Sequence, residues 1–165
     1  MSIGHAAFEP PLSDRSTWQA HDRCSIGRAM QVVGSRSAML LMREAFYGTR
    51  RFDDFASRVG ITEAAAAKRL RELVDAGLLE RTPYREPGQR TRHEYQLTPM
   101  GRDLLPAALA LMQWGDGYLA GEEGPPIALR HADCGASVSV EVRCADGHDV
   151  PLHELRAGRN RPRRG

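Results

Sequence analysis

Two residue pairs near the end of the chain have the types and spacing to hold a metal: His131-x2-Cys134 and Cys144-x3-His148. Two thiolates with two imidazoles make a tetrahedral zinc set. Between the pairs, the alternation Val138, Val140, Val142 predicts a short strand. A metal beside it would supply folding free energy that so small a segment lacks. One structural zinc per chain, on His131, Cys134, Cys144 and His148, is therefore the cofactor expectation. The C-x2-C…C-x2-C signature is absent, so reduced cysteines beside ordinary surface histidines stay open as the alternative. A Cys134–Cys144 disulfide is disfavoured in a reducing compartment.

A second group of residues has the chemistry of phosphate and base recognition. In TEAAAAKRLRELVDAG, burying Ala66, Leu70 and Leu73 turns Glu63, Ala64, Ala67, Lys68 and Arg71 outward, with Arg69 at the flank. Alanines let a helix lie close to base edges, while lysine and arginine reach phosphates or guanine. By itself this is also the pattern of an ordinary amphipathic helix, in which alanine serves only propensity. Its context changes the reading. A hairpin follows directly, carrying Arg85, Arg90 and Arg92 against Glu86 near its tip, and arginines on such a wing run along or into a minor groove. Arg50 and Arg51, ahead of the preceding helix, suit phosphate contacts that position without reading sequence.

These side chains need elements to place them, and the glycines mark where the elements stop. Four apolar stripes end at Gly34, Gly48, Gly60 and Gly77: Ile26/Ala29/Met30/Val33, Ala38/Leu41/Met42/Ala45, Phe52/Phe55/Ala56/Val59 and Ala66/Leu70/Leu73. Thr62 is the expected N-cap of the fourth helix. LLERTPYRE and HEYQLT read as strands around a Pro87-Gly88 turn. Thr98-Pro99 opens a longer helix with Leu104, Leu105, Ala108, Leu111 and Met112 on a broad apolar face, kinked at Pro106. The predicted fold class is mainly α with a small β-hairpin wing: a winged helix-turn-helix plus a small C-terminal β-containing extension. The predicted boundaries are a flexible N-terminal tail at 1–20, the winged helix-turn-helix DNA-binding domain at 21–121, the extension at 122–155, and a basic flexible tail at 156–165.

The segments CSIGRAMQVVGSR, LLMREAFYGTRRFDDFASRVGI, AAKRLRELVDAGLLER and EYQLTPMGRDLLPAALALMQW, over about residues 24–114, resemble the HxlR group of the MarR-like winged-helix regulators. The chain departs from that pattern at Ser37-Ala38, where Trp-Thr is common, and at Ala66, where a larger apolar residue is usual. The resemblance implies a homodimer built largely from the first and last helices, bound to a short palindromic operator in double-stranded DNA and repressing or activating a neighbouring gene. A small-molecule or oxidant effector is also expected. Cys24 sits where many members of the group carry a cysteine. A thiol at a helix start suits a sensor of oxidants or electrophiles; a small residue packed at the dimer interface is the plainer alternative.

Composition is compatible with all of this and excludes other classes. Hydrophobic residues make up 41% and charged residues 27%, ordinary for a globular protein. No apolar run approaches the ~20 residues that span a bilayer, and the N-terminus lacks the pattern of a secretory signal, so a cytoplasmic protein without membrane contact is expected. A net charge of +2 is too small to argue for nucleic acid alone. Lys68 is the only lysine among 23 Lys and Arg residues, a bias that a GC-rich genome explains. No Ser/His/Asp order, glycine-rich phosphate loop or paired catalytic carboxylates stands out, so an enzyme is not expected. The rival reading is a metal- or thiol-dependent sensor acting through protein–protein contacts.

Overall fold

Apolar stripes meet in one core, and they are largely the stripes legible in the sequence: Leu41, Met42, Phe55, Leu70, Leu73 and Leu79 are its largest fully buried side chains. A computed structural model of the chain describes residues 5–16, 24–85, 88 and 91–158. It divides into two units, residues 21–139 and residues 1–20 with 140–165.

In the larger unit, four helices run Ser25–Val33 (α1), Arg36–Phe46 (α2), Phe52–Val59 (α3) and Glu63–Asp75 (α4). Each start has a local cause. Ser35 Oγ accepts a hydrogen bond from Ala38 N, Thr62 Oγ1 from Ala65 N, and Cys24 Sγ, more weakly, from Gly27 N. No side chain caps α3, whose first turn instead carries Asp53 and Asp54, favourable against the positive end of the helix dipole. Among the expected glycine stops, Gly48, Gly60 and Gly77 take positive φ, whereas Gly34 ends α1 at φ −73°. One buried carboxylate ties α2 to α3. Glu44 accepts hydrogen bonds from Arg43 and from Thr49 Oγ1, and Thr49 in turn accepts one from Arg58 of α3. The charge is thereby paired rather than stranded in the core.

Strands Leu79–Tyr84 (β2) and Arg92–Leu97 (β3) form the antiparallel hairpin, in register Leu79–Leu97, Arg81–Tyr95 and Tyr84–Arg92. Pro87 and Arg90 of its tip lie outside the described residues. Tyr95 roots the hairpin: its ring meets Phe55 edge-on at 6.0 Å and its N–H donates to Arg50 O.

The expected long helix is two helices, Pro99–Asp103 (α5) and Leu105–Leu119 (α6). Pro106 interrupts more than it kinks, because it occupies the first turn of α6, where its missing N–H costs nothing. Thr98 locks this junction. Its hydroxyl donates to Gly77 O, its oxygen accepts from Gly101 N, and so it pins the end of α4 to the start of α5. Gly101 packs on the same joint: a methyl group there would stand 2.1 Å from Leu78 O.

The smaller unit departs from the sequence expectation. Residues 7–8 were expected in a flexible tail, yet Ala7–Phe8 (β1) pairs in parallel with Arg156–Ala157 (β4), just inside the expected C-terminal tail. The contact is backbone ladder bonding, Ala7 N to Leu155 O and Glu9 N to Ala157 O, which side-chain periodicity over two residues cannot reveal. Conversely, no strand forms across Val138–Val142. Val138 and Val142 are exposed, so alternation there has no core to face, and only the isolated bridges Arg130–Ser137 and Arg143–Asp149 flank it. Residues 122–139 group with the helices rather than with a separate extension.

The Thr98–Gly101 joint generates a stability prediction. Gly101→Ala should lower the free energy of unfolding by about 1–3 kcal/mol through overpacking against the Leu78 carbonyl. Gly115→Ala, with no neighbour within 4 Å of the added methyl, should be neutral or stabilising. Urea unfolding at fixed protein concentration checks both, and equal destabilisation would refute the close-packing account.

Candidate nucleic-acid interface

The outer face of α4 follows from its inner one. Ala66, Leu70 and Leu73 are fully buried, which leaves Thr62, Glu63, Ala64, Lys68 and Arg71 exposed and Ala67 half-exposed. The face predicted from the sequence is therefore the face presented. Arg69 sits at its flank and is half-buried, with its guanidinium held in a close ion pair by Glu72 one turn on. That pairing draws Arg69 away from the charges offered outward.

Between α4, the start of α3 and the hairpin lies a cleft of about 620 Å³. Arg51, Ala67, Arg71 and Arg92, all singled out in the sequence, line it together. The structure adds Arg81, Tyr84 and His93, which sequence reasoning missed. The reason is instructive. Arg81 shares the strand face of buried Leu79, so strict alternation points it toward the core. The core ends after one residue, and that face becomes the cleft wall.

Electrostatics within the cleft are asymmetric. Four arginines, at 51, 71, 81 and 92, face two carboxylates, Asp53 and Asp75. Asp53 stands 3.7 Å from Arg92, both exposed, a weak solvent-screened pair. Arg81 Nη2 lies 2.9 Å from His93 Nδ1 across the hairpin, and the Arg51 guanidinium stacks over the Tyr84 ring at 5.3 Å. The last two contacts orient the guanidinium groups of Arg81 and Arg51. Planar, fork-shaped donors in a groove of this kind suit phosphate oxygens and guanine edges. Arg50 is exposed and its carbonyl joins α3 to the hairpin; Arg85 is exposed where the described part of β2 ends toward the tip.

The cysteines and histidines predicted as sensor and metal ligands are not among the residues that line this cleft. Cys24 is an exposed free thiol at the start of α1. His131 Nδ1 lies 3.2 Å from Cys134 Sγ, and in the smaller unit Cys144 N donates to His148 O. Among the described residues no group of three or more His, Cys, Asp or Glu side chains is gathered as a metal ion would require.

Comparison with known proteins places this geometry. The model of the HxlR-like helix-turn-helix family matches residues 32–123. An HTH-type transcriptional regulator of Mycobacterium tuberculosis is 49% identical over 120 residues, which cover 73% of this chain and 75% of that protein. Another, of Methanothermobacter thermautotrophicus, is 33% identical over 101 residues, covering 61% and 76%. Among solved structures, PA1607, a proposed transcription factor, is similar with a TM-score of 0.76 and 32% identity over 85% of this chain and 97% of its own. The redox regulator HypR in its reduced form gives 0.51 and 29% over 56% and 90%. No described helix is long and apolar enough to cross a membrane. The family match contains α2 through α6, hence the whole cleft. The chain belongs to the HxlR-like helix-turn-helix family of transcriptional regulators, with the winged-helix fold of MarR-like proteins.

Proposed function

We propose that the protein is a sequence-specific regulator that binds duplex DNA as a homodimer, with α4 in the major groove and the β2–β3 hairpin as its wing. The observation that carries this reading is the arginine-lined cleft between the two. On it, Lys68 and Arg71 read bases or adjacent phosphates, and the exposed Ala64 allows close approach to thymine methyls. Arg51, held over Tyr84, fixes the register through phosphate.

The dimer is supported by surface that one chain leaves uncovered. On α6, Ala107, Ala110, Leu111, Trp114 and Tyr118 recur at helical spacing, and all five are exposed. On α1, Ile26 is 74% exposed and Met30 48%. Apolar stripes left uncovered on helices mark interaction sites, and a twofold pairing of these helices presents two copies of α4 to a palindrome. Cys24, at the head of α1, adjoins this surface in sequence. Because HypR is a redox regulator, oxidation of Cys24 is the sensing chemistry this reading favours.

Light scattering should give twice the chain mass. Operator affinity should fall with salt at a log–log slope of about −0.9 per neutralised phosphate. A monomer with salt-independent binding would overturn the reading. Substitutions should also sort by role. Lys68→Ala or Arg71→Ala should weaken the operator more than random duplex, by about 1–3 kcal/mol where a bidentate contact is lost. Arg51→Ala should weaken both equally. Fluorescence anisotropy on the two duplexes separates these outcomes, and uniform loss from all three would remove α4 as the reader.

A further inference from the structure

Helix α6 is apolar on two sides. Beside its exposed stripe, a second one, Leu105, Ala108, Leu109 and Met112, faces α2 across a cavity of about 520 Å³, which Leu111 of the exposed stripe also lines. Phe46 and Met39 of α2 form the opposite wall, and Leu129, Arg130 and Val138 close it from a third side. That third wall is fastened in place: Gln113 Nε2 donates to Val138 O at 2.8 Å, and Val138 N donates to Leu129 O at 3.1 Å. It also lies beyond residue 123, where the family match ends, so it is a wall that the family's common segment does not include.

The chemistry of the lining is selective. The volume lies within the roughly 300–1,000 Å³ of small-molecule sites, and two methionines give the walls adaptable shape. Two arginines, Arg43 and Arg130, stand among the described lining residues, and none of those residues is acidic. Arg43 donates one nitrogen to Glu44, and Arg130 donates one to the Gly135 carbonyl. An apolar box with two guanidinium groups on its lining and no carboxylate among its lining residues matches one ligand class.

We propose that this cavity binds a small amphipathic monoanion, an aromatic or aliphatic carboxylate whose apolar body lies between α2 and α6 and whose carboxylate meets Arg43 and Arg130. The ion pair is charge-assisted and, with a guanidinium fork, two-pronged. The inference concerns the 21–139 unit and is independent of operator binding, so failure of either reading leaves the other intact.

The test is calorimetric titration of the full chain with naphthalene-1-acetate, with decanoate, and with the neutral naphthalene-1-acetamide. Both carboxylates should bind saturably. The amide should bind more weakly than its acid by roughly tenfold or more. Arg130→Gln should erase most of that difference by weakening the acid alone. Ala108→Trp should abolish binding by filling the cavity. Val138→Trp, on the exposed covering segment, does the same without touching the helical core, and light scattering and thermal unfolding confirm that both variants stay assembled and folded. Three results would each overturn the proposal. They are absence of saturable binding at about 1 mM of either carboxylate, equal affinity for acid and amide, and unchanged binding in folded Ala108→Trp and Val138→Trp.

Discussion

Burial of Ala66, Leu70 and Leu73 is the constraint from which the working surface follows. A helix with one apolar stripe has one orientation against a core, and fixing that stripe fixes every other side chain by 100° steps. Once Leu70 and Leu73 pack among Leu41, Met42 and Phe55, the positions of Lys68 and Arg71 are no longer free. The same core seats Tyr95, and through it the hairpin. Helix α4 and the hairpin are thus oriented by one set of apolar contacts, and the arginines between them converge without any bond that joins them directly.

Much of this was legible because helices announce themselves locally. Stripe, cap and stop lie within one segment: Thr62, the 66/70/73 stripe and Gly77 suffice to place α4, and Thr98-Pro99 places α5. The hairpin was legible from its turn chemistry and flanking strands. Features that depend on distant partners were not. The parallel pairing of Ala7–Phe8 with Arg156–Ala157 spans nearly the whole chain and involves only two residues on each side. Val138–Val140–Val142 shows the converse: alternation signals a strand only where one face meets a core, and here it meets solvent.

Arg81 and His93 were missed for a subtler reason. Strand periodicity assigns a face, and the sequence assumes that a face keeps its environment along the strand. In β2 the environment changes between Leu79 and Arg81, from core to cleft. Arg69 shows a similar limit. Its spacing on α4 makes it a phosphate ligand on paper, but Glu72, one turn later, holds its guanidinium at the helix surface. Helix α6 adds the opposite case, a segment so apolar all round that its composition names no single buried side. Only its neighbours divide it into a face toward α2 and a face left open.

The placement of Lys68 has a chemical consequence. It is the sole lysine of the chain, and it stands exposed near the middle of the outer face of α4. Every other strong cation is an arginine, inert to reagents that acylate amines. An acetyl donor or an activated ester that modifies side-chain amines therefore has one address, and a single modification there deletes one positive charge while leaving each guanidinium untouched. The same address accepts a fluorophore in defined stoichiometry, placing a single reporter on the outer face of α4.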